Sequence, residues 1–490
     1  MIDIIKNDNN ITYNENIFIL QYPEGGQDLM KKHAIMIDFG STFTKVVVVD
    51  LIRQEIILSD KFPSTVHTDA RVGLAQCFDA ARACLTEEEF EDAMKLSTSS
   101  AAGGLRMAVI GLTRSLSIMA GRETVFGAGA KVMGTFSGLL DEEKIQELEA
   151  LDLEIILFCG GYENGNVTMV LKNAELLASS RIHVPVVYSG NTAIAKDVRR
   201  LMMSHKKECF IIDNILPGVG QINIEPSQEI IRHLFMQRIT NMKGLSGVKD
   251  ALGDILMPTP AAVLAAGELL SQGTETEEGL GDLMMVDVGG ATTDIYSFNV
   301  NHAYEGSILV GIAEPYGKRT VEGDMGMRES SVCIQKEVGS DKLAELADLS
   351  VEAVESGIRT RITTTSYLAD SPEEFRLDHS IAEMAVYVSA RRHAGKLEYR
   401  YSGNCETIQL GKNLTEITTI IGTGGPVVNS PHPEEILRQA LKTEKDSMTL
   451  LPLSFDTYID KEYVFFAAGL LREYDPDTAL KIMKKSITKI

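Results

Sequence analysis

The chain has 490 residues, with 47 Lys plus Arg against 69 Asp plus Glu, and a formal net charge of −22. That balance argues against a nucleic-acid-binding protein and against docking on an anionic membrane surface, since both need clustered cations. At 44% hydrophobic and 24% charged residues it reads as a globular protein rather than a disordered one, and its length predicts about two to four domains.

The six cysteines, Cys77, Cys84, Cys159, Cys209, Cys333 and Cys405, form no CxxC pair, so a zinc ribbon or clustered iron–sulfur ligation is not expected. They read as reduced thiols. Met1 to Asn16 is polar, without the apolar run of a signal peptide. No stretch reaches the roughly 18 apolar residues of a membrane-spanning helix. The expected compartment is the cytoplasm.

Residues 1–30 form an N-terminal extension of weak pattern. Ala34–Ile37 is a short apolar run that predicts a strand. The small, polar stretch Asp38-Phe39-Gly40-Ser41-Thr42-Phe43-Thr44-Lys45 follows. Val46–Val49, wholly β-branched, predicts a buried strand, and Glu55–Leu58 a third. Further strands are expected at Met107–Ile110, Leu153–Phe158 and Val184–Tyr188, and a helix at Asn191–Met203. Residues 141–150 and 341–355 read as acidic helices with solvated faces. Residues 209–282, with Pro217, Pro226, Pro258 and Pro260, read as a segment inserted between two lobes.

The first grammar then returns. Leu283–Val286 is apolar, Asp287-Val288-Gly289-Gly290-Ala291-Thr292-Thr293-Asp294 is small and polar, and Ile295–Phe298 resumes the strand. A third glycine-rich stretch, Gly422-Thr423-Gly424-Gly425, follows the strand-like Glu416–Ile421. It precedes a helix over Glu434–Leu441, with Pro433 just before its first turn.

Turns of Gly, Ser and Thr present backbone N–H groups on a concave surface, which suits phosphate oxygens. Glycine lets the backbone approach closely, and Lys45 adds a compact positive charge. Asp38 and Asp287 stand where each first strand meets its turn. Two such carboxylates suit Mg²⁺ held through its water shell. Neither turn is a Walker A loop, and neither opens a helix as a dinucleotide-binding turn does. Cys159-Gly160-Gly161-Tyr162 is a candidate cleft turn, but nothing poises a base beside Cys159, so it is not read as a nucleophile. No HxxxH or HExxH pattern points to metal ligation by histidine.

In this order the motifs resemble the actin, sugar-kinase and heat-shock-chaperone ATPases. Asp38–Lys45 resembles the first phosphate loop, Gly190–Asp197 the first connecting helix, and Asp287–Asp294 the second phosphate loop. Gly422–Gly425 resembles the adenosine loop and Ala467–Leu471 the second connecting helix. Ser99–Met107, Met257–Val263 and Thr320–Arg328 are similar to segments of one family, the glutamate mutase accessory proteins of the MutL (GlmL) type, and the likeness runs from about residue 33 to 480.

The resemblance implies a two-lobed α/β fold, actin-like (ribonuclease H-like), with insertions. Residues 31–208 would form lobe I, and 283–490 lobe II with a C-terminal helix returning towards lobe I. It implies ATP and Mg²⁺ as cofactors. Gly40, Ser41, Thr42, Thr44, Lys45, Gly289, Gly290, Ala291, Thr292, Thr293, Gly422, Thr423, Gly424 and Gly425 would contact nucleotide. Asp38 and Asp287 would position metal and water, with Asn191 and Asp197 as further candidates. The expected role is an ATP-dependent reactivating chaperone for an adenosylcobalamin-dependent mutase, releasing damaged cobalamin as the lobes open. The alternatives are a small-molecule kinase or an actin-like filament protein. The chain is not expected to be the mutase itself, since the nearest Asp-x-His-x-x-Gly candidate, at His67, has Thr65 where aspartate is needed.

Overall fold

The computed structural model describes residues 31–490 except 41, 67, 101–104, 241–251, 253–256 and 402–404, and leaves aside the side chains of 236–240. The extension 1–30, Ser41, His67 and part of the Ser99–Met107 segment lie outside the described residues.

The chain is a two-lobed α/β protein in which one plan is used twice. In the first sheet, His33–Phe39 pairs antiparallel with Phe43–Asp50, which pairs antiparallel with Glu55–Pro63. On its other side His33–Phe39 pairs in parallel with Met94–Ser99, and Met257-Pro258 extends the sheet beyond that strand. In the second sheet, Leu283–Val288, Thr293–Phe298 and Gly317–Glu322 form the same antiparallel meander. Thr419–Thr423 and then Asp456–Asp460 are added in parallel. In each lobe the last parallel strand leads towards a helix, Thr259–Gln272 in one and Phe465–Leu471 in the other.

Strand periodicity explains why the hairpins read as continuous apolar runs. Side chains alternate between faces, and here both faces are covered. Ile35, Ile37, Phe39, Val46 and Val48 face Leu74 and Cys77 of helix Ala70–Cys84. Ala34, Met36, Val47 and Val49 face the other way, into a core shared with Met285, Tyr296 and Phe298 of the second hairpin. The two helices fill that shared core, contributing Val263, Ala266 and Leu270, and Phe466, Ala467 and Leu470. They meet backbone to backbone: a Cβ on Gly469 would stand 2.0 Å from the carbonyl oxygen of Ala262.

The first connecting helix is therefore Thr259–Gln272 and not the expected Gly190–Asp197. Thr192–Ile194 is a 3-10 turn, and Ala195–Ser204 packs with Ala108, Ile110, Phe158 and Tyr188, away from the shared core. Both stretches are helical and follow a strand, so local pattern does not separate them. What separates them is the pairing of Met257-Pro258 with Thr98-Ser99.

Between Ser99 and Met257 the first lobe builds a parallel sheet in the order Lys131–Ser137, Arg106–Gly111, Ile155–Phe158, Val186–Tyr188, Cys209–Ile211. Residues 209–282 thus supply one strand to this outer sheet, one to the hairpin sheet, and the first helix between the lobes. The second lobe carries helices from Ser331 to His393 and a small sheet of Ser307–Val310, Cys405–Leu410 and Lys396–Tyr401. No helix among the described residues is long and apolar enough to cross a membrane.

Candidate functional site

The strand register that buries Met36 and Met285 in the shared core also brings Asp38 and Asp287 to its polar end, two residues further along the same faces. Asp38 is buried. Its Oδ1 accepts from Thr259 Oγ1 at 2.6 Å and from Thr98 Oγ1 at 3.3 Å, and its Oδ2 faces Lys45 Nζ at 3.4 Å. Lys45 is the cross-strand partner of Asp38. The turn between them is closed by Gly40 N donating to Phe43 O at 3.1 Å, and a Cβ on Gly40 would stand 2.5 Å from that oxygen.

Thr42 is exposed at the turn. Thr44 is not on the cleft face. It lies on the opposite face from Asp38, buried, with its Oγ1 2.8 Å from where a Cβ of Gly73 would be.

The second turn is closed in the same way. Gly289 N donates to Thr292 O at 2.9 Å. The loop after Gly317–Glu322 then clasps it from outside. Met327 N donates to Gly289 O at 3.1 Å, Arg328 N to Gly290 O at 2.8 Å, and Ser330 Oγ to Ala291 O at 2.9 Å. This bracing uses carbonyls, while the N–H groups of Gly290, Ala291 and Thr292 donate to nothing among the described residues. Unpaired N–H groups in such a turn are candidate donors to an anion. The Thr293 hydroxyl is spent on Met325 O at 2.7 Å, and that of Thr292 on Asp294 Oδ2 at 3.0 Å. These two threonines therefore shape the turn through their side chains.

The glycine-rich stretch joins the same place. Thr423 is aligned with Asp287 in the parallel ladder. Gly424 has φ +87°, a conformation that L side chains rarely adopt, and a Cβ there would stand 2.3 Å from Val288 O and 2.7 Å from Asp287 Oδ1. Gly422 is packed on Val427 and Leu437 for the same lack of room, and Gly425 opens the short helix Gly425–Val428.

Burial pushes the half-buried Asp287 carboxyl up to about 6, and the neighbouring charges of Asp294 and Asp38 add to this while Lys45 and Arg319 oppose it. The two hairpin aspartates thus share one electrostatic environment. Neither belongs to a cluster of three or more ligating side chains among the described residues.

Several site residues escaped the sequence reading. Thr98 and Thr259 hold Asp38. Arg319 donates to Asp294 Oδ1 from Nε at 2.9 Å and Nη2 at 2.6 Å, and from Nη1 to Phe126 O of the first lobe at 3.1 Å. Asp460 ends the strand beside Thr419–Thr423 and accepts from Val464 N at 3.3 Å, while its Oδ2 has no hydrogen-bond partner. Burial raises its carboxyl to about 7 against the pull of Lys45. Only Thr259 carried a signal, since it lies in a segment already marked as family-like.

Beside Lys45 the cleft opens into a notch of about 210 Å³ lined by Lys61, Asn429, Lys461 and Tyr463. Lys45 and Lys61 lie 5.4 and 4.9 Å from the centre of the Tyr463 ring. Asn191 and Asp197 stand elsewhere: Asn191 Oδ1 caps Ala193 N at 3.0 Å, and Asp197 pairs with Arg200 at 3.3 Å on an exposed helix face. The Cys159 thiol is pushed up to about 12 by burial, which removes it as a nucleophile at neutral pH.

A family profile described as MutL protein matches residues 34–487. Protein MutL of Clostridium tetanomorphum is 37% identical over 459 residues, spanning 93% of this chain and 99% of that protein. Among solved structures, xylulose kinase from Bifidobacterium adolescentis aligns at a TM-score of 0.29 and 13% identity, over 92% of this chain and 93% of the kinase. The ethanolamine utilization protein EutJ from Carboxydothermus hydrogenoformans aligns at 0.24 and 11%, over 91% and 89%. At TM-scores this low, neither neighbour bears on activity.

Proposed function

This chain belongs to the MutL protein family, and on that premise we propose that it is an ATP-dependent reactivating chaperone for an adenosylcobalamin-dependent mutase. One observation carries the nucleotide part of this reading. Two aspartate-tipped hairpins converge on one cleft from opposite lobes, with a glycine loop packed onto the second aspartate. The mutase part rests on the family to which the chain belongs.

The residues fit the group. The N–H groups of Gly290, Ala291 and Thr292 offer donors to phosphate oxygens, as does the exposed Thr42 hydroxyl of the first turn. Lys45 supplies a positive charge beside Asp38. Asp38 and Asp287 would hold Mg²⁺ through water, and the Gly424-Gly425 loop, packed on Asp287, would stand beside the adenosine end. When bound, ATP with Mg²⁺ supplies the phosphoanhydride whose cleavage drives the cycle. The protein's share is orientation and electrostatics rather than covalent chemistry. A ligand that touches both hairpin turns favours closed lobes, and its shortening lets them part. A coupling of about 1–3 kcal/mol between nucleotide state and partner affinity suffices for catch and release, because it changes affinity roughly 5- to 150-fold.

The test is ATP turnover by the full chain, alone and with a cobalamin-inactivated glutamate mutase, with mutase activity followed in parallel. Recovery of activity with ATP, Mg²⁺ and fresh adenosylcobalamin, absent in Asp287→Ala, is the expected result. Hydrolysis without recovery removes glutamate mutase as the partner, and absence of nucleotide binding removes the whole reading.

A further inference from the structure

The two hairpins are alike in backbone but not in charge. In the first, the cross-strand partner of Asp38 is Lys45; in the second, the partner of Asp287 is Asp294. The first turn therefore carries its own cation, whereas the second has two carboxylates at its base. Arg319 does not make up the difference, because its guanidinium is committed to Asp294 and to Phe126 O. Arg328 is likewise committed, to Asp378 at 2.8 Å. An anion on the Gly289–Thr292 turn thus takes any protein cation from the first lobe, where Lys45 is held by Asp38.

Lys131 of the first lobe is placed to be that cation. It opens the edge strand Lys131–Ser137, just after helix Met119–Gly127, whose Phe126 carbonyl Arg319 grips. Its Nζ lies 3.9 Å from where a Cβ of Gly323 would be, so the ammonium reaches across to the loop that clasps the second turn. Glycine at 323 leaves that approach open. Among the described residues no hydrogen bond or ion pair engages the Lys131 side chain. Burial lowers its pKa, while the charges of Asp294 and Glu329 hold it up. A partly buried ammonium without a direct partner is costly unless a ligand supplies the counter-charge.

We propose that Lys131 is the cation by which the first lobe grips the terminal phosphate of a nucleoside triphosphate held on the second turn. This rests on the nucleotide reading above and adds to it the group that tells a triphosphate from a diphosphate. The lysine comes from one lobe and the turn from the other, so the contact also links recognition of the last phosphate to closure.

The test is calorimetric titration of the full chain with ATP and with ADP in Mg²⁺. Lys131→Met is expected to weaken ATP about 10- to 100-fold, the value of a charge-assisted contact, and to leave ADP within about twofold. Lys131→Arg keeps the charge and recovers most of the loss. If Lys131→Met does not fold, Lys131→Gln carries the same comparison. An unchanged ratio of ATP to ADP affinity in the neutral variants overturns the role of Lys131 and leaves nucleotide binding standing. A wild-type chain that binds neither nucleotide overturns both.

Discussion

Thr259 Oγ1 donates to Asp38 Oδ1 at 2.6 Å, joining the first residue of the helix between the lobes to the carboxylate of the first hairpin. The other oxygen of Asp38 belongs to Lys45, within the hairpin itself. The orientation of this carboxylate is therefore set jointly by its own turn and by the helix that relates the two lobes.

Replacing Thr259 by Val keeps the shape and removes the donor. A buried acceptor left short of a partner costs about 1–3 kcal/mol. The expected outcome is a loss of that size in urea unfolding, together with several-fold weaker Mg²⁺-dependent ATP binding. Unchanged binding would show that Asp38 does not depend on the helix for its orientation.

Gly424→Ala should be more damaging. The positive φ strains any other residue by about 1–3 kcal/mol, and the new methyl would meet Val288 O and Asp287 Oδ1 at 2.3 and 2.7 Å. Nucleotide affinity is expected to fall at least tenfold, by about 1.4 kcal/mol or more, with a lower melting temperature. Titration and thermal unfolding of the one variant separate these effects.

Arg319 and Asp294 form a buried pair, and removing one partner strands the other. Arg319→Met is expected to cost about 3–5 kcal/mol. Asp294→Asn on that background should return part of the loss, because the stranded charge is gone. Denaturant unfolding of the two single variants and the double variant closes the cycle.

Asp460 gives a pH signature. Burial raises its carboxyl to about 7 in the fold from the ordinary aspartate value of 3.8. In the window between those values the folded chain holds a proton that the unfolded chain has lost. Its favourable contribution is therefore complete below about 3.8 and is lost progressively as the pH rises to about 7. Asp460→Asn keeps an oxygen to accept from Val464 N and has no such dependence. The melting temperature of the variant relative to wild type should climb from pH 4 to pH 7, by roughly 5 °C or more, and stay level above. A flat difference would mean that Asp460 is not buried as a neutral acid.

The hairpins were legible because strand faces, turn chemistry and buried β-branched runs are local. Asp38–Lys45 and Asp287–Asp294 stand out for that reason, and the glycines at 424 and 425 do so through the turn they allow. What pattern could not supply was pairing at a distance. Nothing near Thr259 says that it meets Asp38, and nothing near Gly190 says that its helix faces an outer sheet. Thr44 and Thr293 illustrate a second limit. In a strand one residue of register decides between cleft and core, and a threonine beside a glycine-rich turn reads alike on either face. Ser41 lies outside the described residues, so its expected role stands on the sequence alone.

At Gly469 and Ala262 backbone rests on backbone. Helices kept apart by interlocking side chains can slide as those side chains change rotamer. At this one point there is no side chain to re-sort, although Val263, Leu270, Phe466 and Leu470 pack around it, so in the proposed cycle it would serve as the pivot. If the lobes turn about that point as the proposed cycle requires, one pair of reporter dyes, one on each lobe, will register the change on adding ATP.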